Sequence, residues 1–187
     1  MKRDLNQKKI IVISAPSGTG KTTVVKKLLE RNKDIYFSIS TTTRKIRENE
    51  KDGVDYYFVS EEKFKEMIEK NEFLEWAVVH SNYYGTTKRE IERIIEKGFC
   101  ILDIDVQGLK NIITIYPDIK SIFLLPPSIY ELEKRLRQRG DMDEESIRLR
   151  LNNAREELKM IYLYKFFVVN ETIDETVKKV EKIIYEI

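Results

Sequence analysis

Residues Ile10 to Thr23 read IIVISAPSGTGKTT: a β-branched apolar run, then a loop of small residues, then Gly20-Lys21-Thr22. The apolar run reads as a buried strand, and residues 22–31, TTVVKKLLER, space their apolar side chains for a helix. Between them Ala15, Pro16, Ser17, Gly18, Thr19 and Gly20 form a backbone that can turn tightly and aim several N–H groups at one point. Such a turn cradles polyphosphate, provided no bulky side chain intrudes. The pattern is G-x-x-x-x-G-K-[ST] with Ala15 at the first glycine position, a departure of one methyl group. In such a loop Lys21 reaches for the β- and γ-phosphates of a nucleoside triphosphate. The hydroxyl of Thr22 sits on the Mg²⁺ that bridges them, and Thr23 is less constrained. The alternative is a glycine-rich turn between strand and helix that holds nothing.

The chain has 187 residues, enough for one domain with a sizeable core. Charged residues make up 35%, above the usual quarter, yet Lys+Arg 34 against Asp+Glu 32 leaves a net charge of only +2. That balance gives no footprint for a nucleic acid. Cys100 is the only cysteine, which excludes an intramolecular disulfide and a cysteine-rich metal site; its setting in FCIL makes it a core residue. The opening MKRDLNQKK is too polar and too short for a signal sequence, and no apolar stretch has the length of a membrane span. A cytoplasmic protein with no membrane contact and no obligate protein partner is expected.

Apolar runs at residues 10–13, 100–104, 121–125 and 166–169 read as buried strands, and helical patterns follow each, at 22–31, 106–115, 128–139 and 173–187. Strand and helix in alternation imply an α/β fold with a parallel sheet and helices on both faces. Residues 34–84 break the rhythm: they are rich in Tyr, Phe, Ser and Thr, with turn signals at Asp52-Gly53 and Tyr84-Gly85. They read as a β-rich insertion carrying one helix at 60–71, opened by Ser60 with Glu61 and Glu62 behind it. A second excursion, RLRQRGDMDEESIRLR at 135–150, places Asp143 as the N-cap of a helix running to about Leu163.

The run Phe99 to Asp105, FCILDID, is an apolar strand ending in two acids, and alternation puts Asp103 and Asp105 on one face unless the chain leaves the strand before Asp105. In phosphate-loop proteins an acid at such a strand end holds Mg²⁺ or its waters; the alternative is an ordinary polar terminus.

With these features, SISTTTRKIRENEKDGVDYYFVS at 38–60, FLEWAVVHSNYYGTT at 73–87, ILDIDVQG at 101–108 and RLRQRG at 135–140 resemble guanylate kinase over nearly the whole chain. The resemblance implies a P-loop kinase that transfers the γ-phosphoryl group of ATP to GMP with Mg²⁺, in purine nucleotide metabolism. It implies a single domain over 1–187, with a core of 1–37 and 87–187, a GMP-binding insertion at 38–86 and a lid region at 127–150. Arg44 and Arg47, with Tyr56 and Tyr84, match the group that grips the 5′-phosphate of GMP. Guanidinium forks and uncharged hydroxyl donors suit that task. Glu75 matches the residue that reads guanine, since a carboxylate accepts from N1–H and the exocyclic amine together, a donor pair that adenine lacks. Ser40 and Thr86 match positions that touch the base or bridge to it, and Asp105 joins the acceptor side. Thr86 stands where serine is frequent in the family, keeping the hydroxyl and adding a methyl group.

On the donor side Arg135, Arg139 and Arg150 match basic residues of the lid over ATP, with Arg150 also reaching toward GMP. The segment GDMDEES departs from the lid sequence usual in the family. Lys21, Arg44, Arg139 and Arg150 are the expected catalytic residues, and Thr22 and Asp103, the latter through water, the expected Mg²⁺ contacts. No general base is required, because the attacking phosphate is already ionised at neutral pH. His80 accordingly reads as structural, and Tyr36, Phe37, Phe58, Phe64, Phe73 and Trp76 as insertion core. Asn170 is a candidate for the adenine contact. Two competing readings are a non-catalytic guanylate-kinase-like binding module, disfavoured by the intact loop, and a kinase for another nucleotide or a sugar phosphate, disfavoured by Glu75.

Overall fold

The computed structural model describes residues 6–79, 81–138, 140 and 142–186; His80 and Arg139 lie outside them. The chain opens with β1 (Ile10–Ser14), α1 (Lys21–Arg31), β2 (Ile35–Phe37), β3 (Thr41–Thr42), β4 (Tyr57–Phe58) and α2 (Glu61–Glu69). There follow β5 (Phe73–Val79), β6 (Asn82–Thr87), α3 (Lys88–Ile95), β7 (Phe99–Leu102) and α4 (Val106–Ile115). The last third holds β8 (Lys120–Leu125), α5 (Ile129–Gln138), α6 (Glu144–Lys159), β9 (Phe166–Val169) and α7 (Ile173–Glu186). Five strands form a parallel sheet in the order β2-β7-β1-β8-β9, and four form a mixed sheet in the order β4-β3-β6-β5. This is the α/β architecture that the alternation implies.

The chain divides into two compact units, one of which comprises Ile11–Lys33 and Lys120–Ile187. Here β1 runs parallel to β8, with Ile11 opposite Lys120 and Ser14 opposite Phe123. All five residues of β1 are buried, the reason Ile10 to Ile13 are continuously apolar where a half-exposed strand would alternate. Helix α1 buries Val24, Val25 and Leu28 and is tied to α7 by Lys27–Asp174 at 2.6 Å and Arg31–Glu181 at 3.2 Å. Helices α5 and α6 share a small core of Leu132, Leu136, Ile147, Leu151 and Ala154. Asp143 caps α6, accepting from the Ser146 amide at 2.7 Å. The helix stops at Lys159, and a 3₁₀ turn, Ile161–Leu163, replaces its expected last turn.

The other unit joins the N-terminal residues to Asp34–Ile119. It contains the mixed sheet and a parallel pair, β2 with β7. Tyr36 and Phe37, expected in the insertion core, are instead strand residues of that pair. Three residues are too few for alternation to mark a strand. Phe64 of α2 does stack on Phe73 of β5, ring centroids 4.3 Å apart, whereas Trp76 is 38% exposed and Phe58 half-buried. The insertion core is therefore smaller than expected, built on Phe64, Met67 and Phe73.

Helix α3 is absent from the sequence-based expectation. Its start is a hydroxyl cap, the Thr87 side chain accepting from the Glu90 amide at 3.2 Å. Glu90 is buried, and its carboxylate accepts from Arg93 at 2.9 and 3.2 Å and from the Ile39 amide at 3.3 Å. One buried acid therefore anchors both the helix and the strand connection beside it. Thr87→Ala should lower stability by about 1 kcal/mol, a Tm decrease of about 2–4 °C by calorimetry, while Thr87→Ser should stay near the parent.

Candidate active site

Gly18 and Gly20 have φ of +92° and +99°, conformations that a side chain would strain. Gly20 is the N-cap of α1 and supplies no side-chain cap, so the amide groups of the first turn open toward the loop. Lys21 is the first helical residue, and Thr22 and Thr23 are exposed beside it. A Cβ on Gly18 would stand 2.8 Å from Leu136 Cδ2, so α5 packs directly on the loop.

Two expected lid arginines reach this loop. Arg150 donates to the Ser17 hydroxyl. Arg135 donates to the Thr19 carbonyl at 3.3 Å and the Asn170 carbonyl at 3.4 Å, with Glu131 accepting from its Nε at 3.3 Å. Arg139 lies outside the described residues. Asn170 is 1% exposed; its Nδ2 donates to the Thr19 carbonyl at 2.6 Å, and its Oδ1 accepts from Thr176 at 2.9 Å. The side chain is thus held at both ends inside the protein.

Of the residues assigned to the acceptor, Ser40, Arg44, Arg47, Tyr56, Glu75, Tyr84 and Thr86 lie on the mixed sheet and its loops, whereas Asp105 opens α4 and Arg150 lies in α6. Arg44 follows β3 and donates to Glu50 Oε1 at 2.8 Å, with its guanidinium 5.4 Å from the Tyr56 ring. Glu50 Oε2 accepts from the Arg47 amide at 3.0 Å, and the Arg47 side chain is exposed. Hydrogen bonding to Arg44, then to the Arg47 amide, lowers the Glu50 pKa. Nothing in the sequence marks Glu50, which lies in a turn without periodicity. Tyr56 and Tyr84 meet edge to face, centroids 6.0 Å apart, and burial raises the Tyr56 pKa, helped by the charge of Asp103. Ser40 is half-buried just before β3 and accepts from the Tyr57 amide through its carbonyl at 2.9 Å.

Glu75 is 5% exposed. A bulge between Phe73 and Glu75 places two β5 residues against one step of β6, with Glu75 then opposite Thr86. A Cβ on Gly85 would meet both Phe73 and Trp76, which places those two on one face and turns Glu75 to the other. There its Oε2 approaches Gly108 of α4 so closely that a Cβ on Gly108 would lie 2.8 Å from it. Burial pushes the Glu75 carboxyl up to about 7, with a smaller upward push from Asp105 and opposition from the neighbouring Thr86 hydroxyl and amide. The Thr86 hydroxyl is itself fully buried, with no partner in hydrogen-bond geometry. The sequence signal for Gly108 was a glycine inside a helical pattern, where a packing reason is the usual cause.

The strand before the two acids ends at Leu102, so Asp103 and Asp105 do not share a strand face as expected. Both are exposed; Asp105 is the N-cap of α4 and accepts from the Gly108 amide at 2.8 Å. The capping bond explains the early end, since Asp in extended conformation before a helix satisfies an amide that the helix cannot. Among the described residues no group of three or more His, Cys, Asp or Glu could hold a metal, and no helix is long and apolar enough to cross a membrane.

A buried strand, a loop with two positive-φ glycines and a lysine opening the next helix define a phosphate-loop α/β protein. The guanylate kinase family model matches residues 7–187. The chain is 54% identical over 180 residues to a guanylate kinase of Prochlorococcus marinus subsp. pastoris, covering 96% of this chain and 98% of that one. It is 48% identical over 176 residues to a guanylate kinase of Clostridioides difficile, covering 94% and 86%. Its fold is similar to the crystal structure of guanylate kinase from Anaplasma phagocytophilum, with a TM-score of 0.73 at 36% identity, over 93% of this chain and 82% of that one. The chain belongs to the guanylate kinase family.

The raised pKa of Glu75 has a stability consequence. Between pH 4.5 and about 7 the folded state binds a proton that the unfolded state has lost, so stability falls as pH rises through this window. At about 1.4 kcal/mol per pH unit, the ceiling is about 3 kcal/mol. Glu75→Gln should therefore be more stable than the parent at pH 8 in the absence of nucleotide, and denaturant titrations should show the gap closing toward pH 5.

Proposed function

We propose that the two units divide the guanylate kinase reaction by substrate, one holding ATP and the other GMP. The activity is that of the family: the γ-phosphoryl group of ATP is transferred to GMP, giving ADP and GDP. The observation that carries the assignment is the Glu75 carboxylate, buried with no ion pair among the described residues. Burial of an unpaired carboxylate is unfavourable for folding, and guanine offers the two donors that would satisfy it. Thr86 adds a buried hydroxyl on the same face, and Ser40 and Asp105 complete the base side. Arg44 and Arg47, with Tyr56 and Tyr84, take the 5′-phosphate. We assign the insertion to residues 38–86, the core to 1–37 and 87–187, and the lid to 127–150.

The loop from Ala15 to Gly20 wraps the ATP phosphates with its backbone amides, and Lys21 neutralises charge at the β- and γ-positions. Arg135, Arg139 and Arg150 add positive charge over the transferring group. Their work is electrostatic and positional, since the acceptor oxygen is already ionised. Mg²⁺ supplies charge neutralisation on the phosphates. The donors fit it: the exposed hydroxyl of Thr22 and the carboxylate of Asp103, acting through water, are hard oxygens, and Mg²⁺ arriving with nucleotide needs no all-protein cage. The exposed Asp103, past the strand end, keeps its role in this scheme. A cytoplasmic location suits a buried free Cys100 and these substrates.

The first test is ADP formation from MgATP with GMP, AMP, CMP and UMP offered separately. Turnover with GMP alone is expected, and none with any of the four, with GMP still bound, would make this chain a binding module. Lys21→Met should reduce turnover at least a hundredfold with the fold intact; near-normal turnover would remove Lys21 from the mechanism.

Base reading adds a pH signature. Neutral Glu75 can accept at only part of its former sites, so kcat/KM for GMP should fall as pH drops below about 7. Glu75→Gln should flatten that profile and weaken the preference for GMP over AMP. Unchanged discrimination would show that another group reads the base.

A further inference from the structure

We infer that Asn170 is a positioning residue for phosphoryl transfer: it sets the Thr19–Gly20 peptide so that the Gly20 amide points into the phosphate loop. The inference rests on the reading that this loop binds the ATP phosphates.

A trans peptide is planar, with its C=O and N–H directed to opposite sides, and the described chain contains no cis peptide bond. Fixing the Thr19 carbonyl therefore fixes the direction of the Gly20 N–H. The carbonyl accepts from Asn170 Nδ2 at 2.6 Å and from Arg135 at 3.3 Å. With both donors on the carbonyl side of this planar peptide, the Gly20 N–H is directed to the opposite side, which we take to be the loop interior. The amide of Asn170 is itself oriented: the Thr19 carbonyl can only accept, so the end that faces it must be the NH₂ end, and Oδ1 then accepts from the Thr176 hydroxyl at 2.9 Å. Its backbone is anchored too, the Asn170 amide donating to the Leu125 carbonyl at 2.8 Å.

The fit is close on the other partner as well. A Cβ on Gly20 would stand 2.8 Å from Asn170 Nδ2, so the glycine is required by this contact in addition to its φ of +99°. Asn170 and Thr176 are each 1% exposed, so water does not substitute for either bond. Rotating this peptide by half a turn would face an oxygen toward polyphosphate, replacing attraction by repulsion at one position of the cradle. The residue touches no reacting atom; it acts through the peptide.

The test is calorimetric titration of inorganic tripolyphosphate with Mg²⁺ into the parent, Asn170→Ala, Thr176→Val and Lys21→Met, with GMP titrated into each and Tm recorded. Asn170→Ala should weaken tripolyphosphate binding and raise the KM for ATP at least tenfold, with GMP affinity unchanged. Thr176→Val keeps the asparagine but leaves its Oδ1 without the hydroxyl that holds it, loosening the side chain at Thr19, and should weaken tripolyphosphate at least threefold; it decides the matter if Asn170→Ala does not fold. A purely structural role would lower Tm and weaken both ligands alike, which would overturn the inference. Parent-like tripolyphosphate binding in both variants, with loss in Lys21→Met, would overturn it while leaving the loop assignment standing. Parent-like binding in Lys21→Met as well would overturn the loop assignment itself.

Discussion

A loop that offers its backbone amides to an anion cannot be held by its own side chains, because those would fill the space the anion needs. The turn after β1 meets this constraint by being supported from outside. Leu132 and Leu136 press on Gly18, Arg150 donates to Ser17, and Asn170 and Arg135 hold the Thr19 carbonyl. Each support comes from chain beyond residue 130, so the loop and the last third of the molecule are one structural problem. The small core that α5 shares with α6 is what gives the supporting leucines a fixed place.

Glu75 presents a different difficulty. In its proposed role it reads a base edge with a carboxylate out of water, and an isolated carboxylate resists leaving water. Two local features place Glu75 there: the bulge that turns it from the Phe73 face and the absent side chain at Gly108. Burial accordingly pushes the carboxyl up to about 7.

Much of this was legible in the residues, and what was not has physical reasons. The strands at 10–13 and 121–125 were readable because burial on both faces forces a continuous apolar run, whereas 166–169, with Phe167 and Val169 exposed, was readable from its aromatic and β-branched residues alone. Helix α4 was readable to the residue from its apolar spacing. Strand β2 is three residues long and carries no period. Helix α3 was announced by Thr87 and Glu90, three apart, with Ile91 and Ile94 behind them, but that signal abuts a strand ending in the same threonine. The acceptor residues came from resemblance alone, for arginines in a charged turn look like solvated surface. Asn170 could not be placed by any local pattern: its partner Thr19 is 151 residues away.

The pairing of Arg44 with Glu50 gives the acceptor side an internal counter-ion. With Arg44 in its proposed role, arrival of a phosphate is an exchange of one carboxylate for one phosphate, and the displaced Glu50 remains tethered by the chain. An arginine that keeps a built-in anion gathers few mobile ones from solution, so few are released when substrate binds. Acceptor affinity then depends less steeply on ionic strength than the number of cationic groups would suggest. A nucleoside without a phosphate has nothing with which to displace Glu50, and the pair stays closed against it.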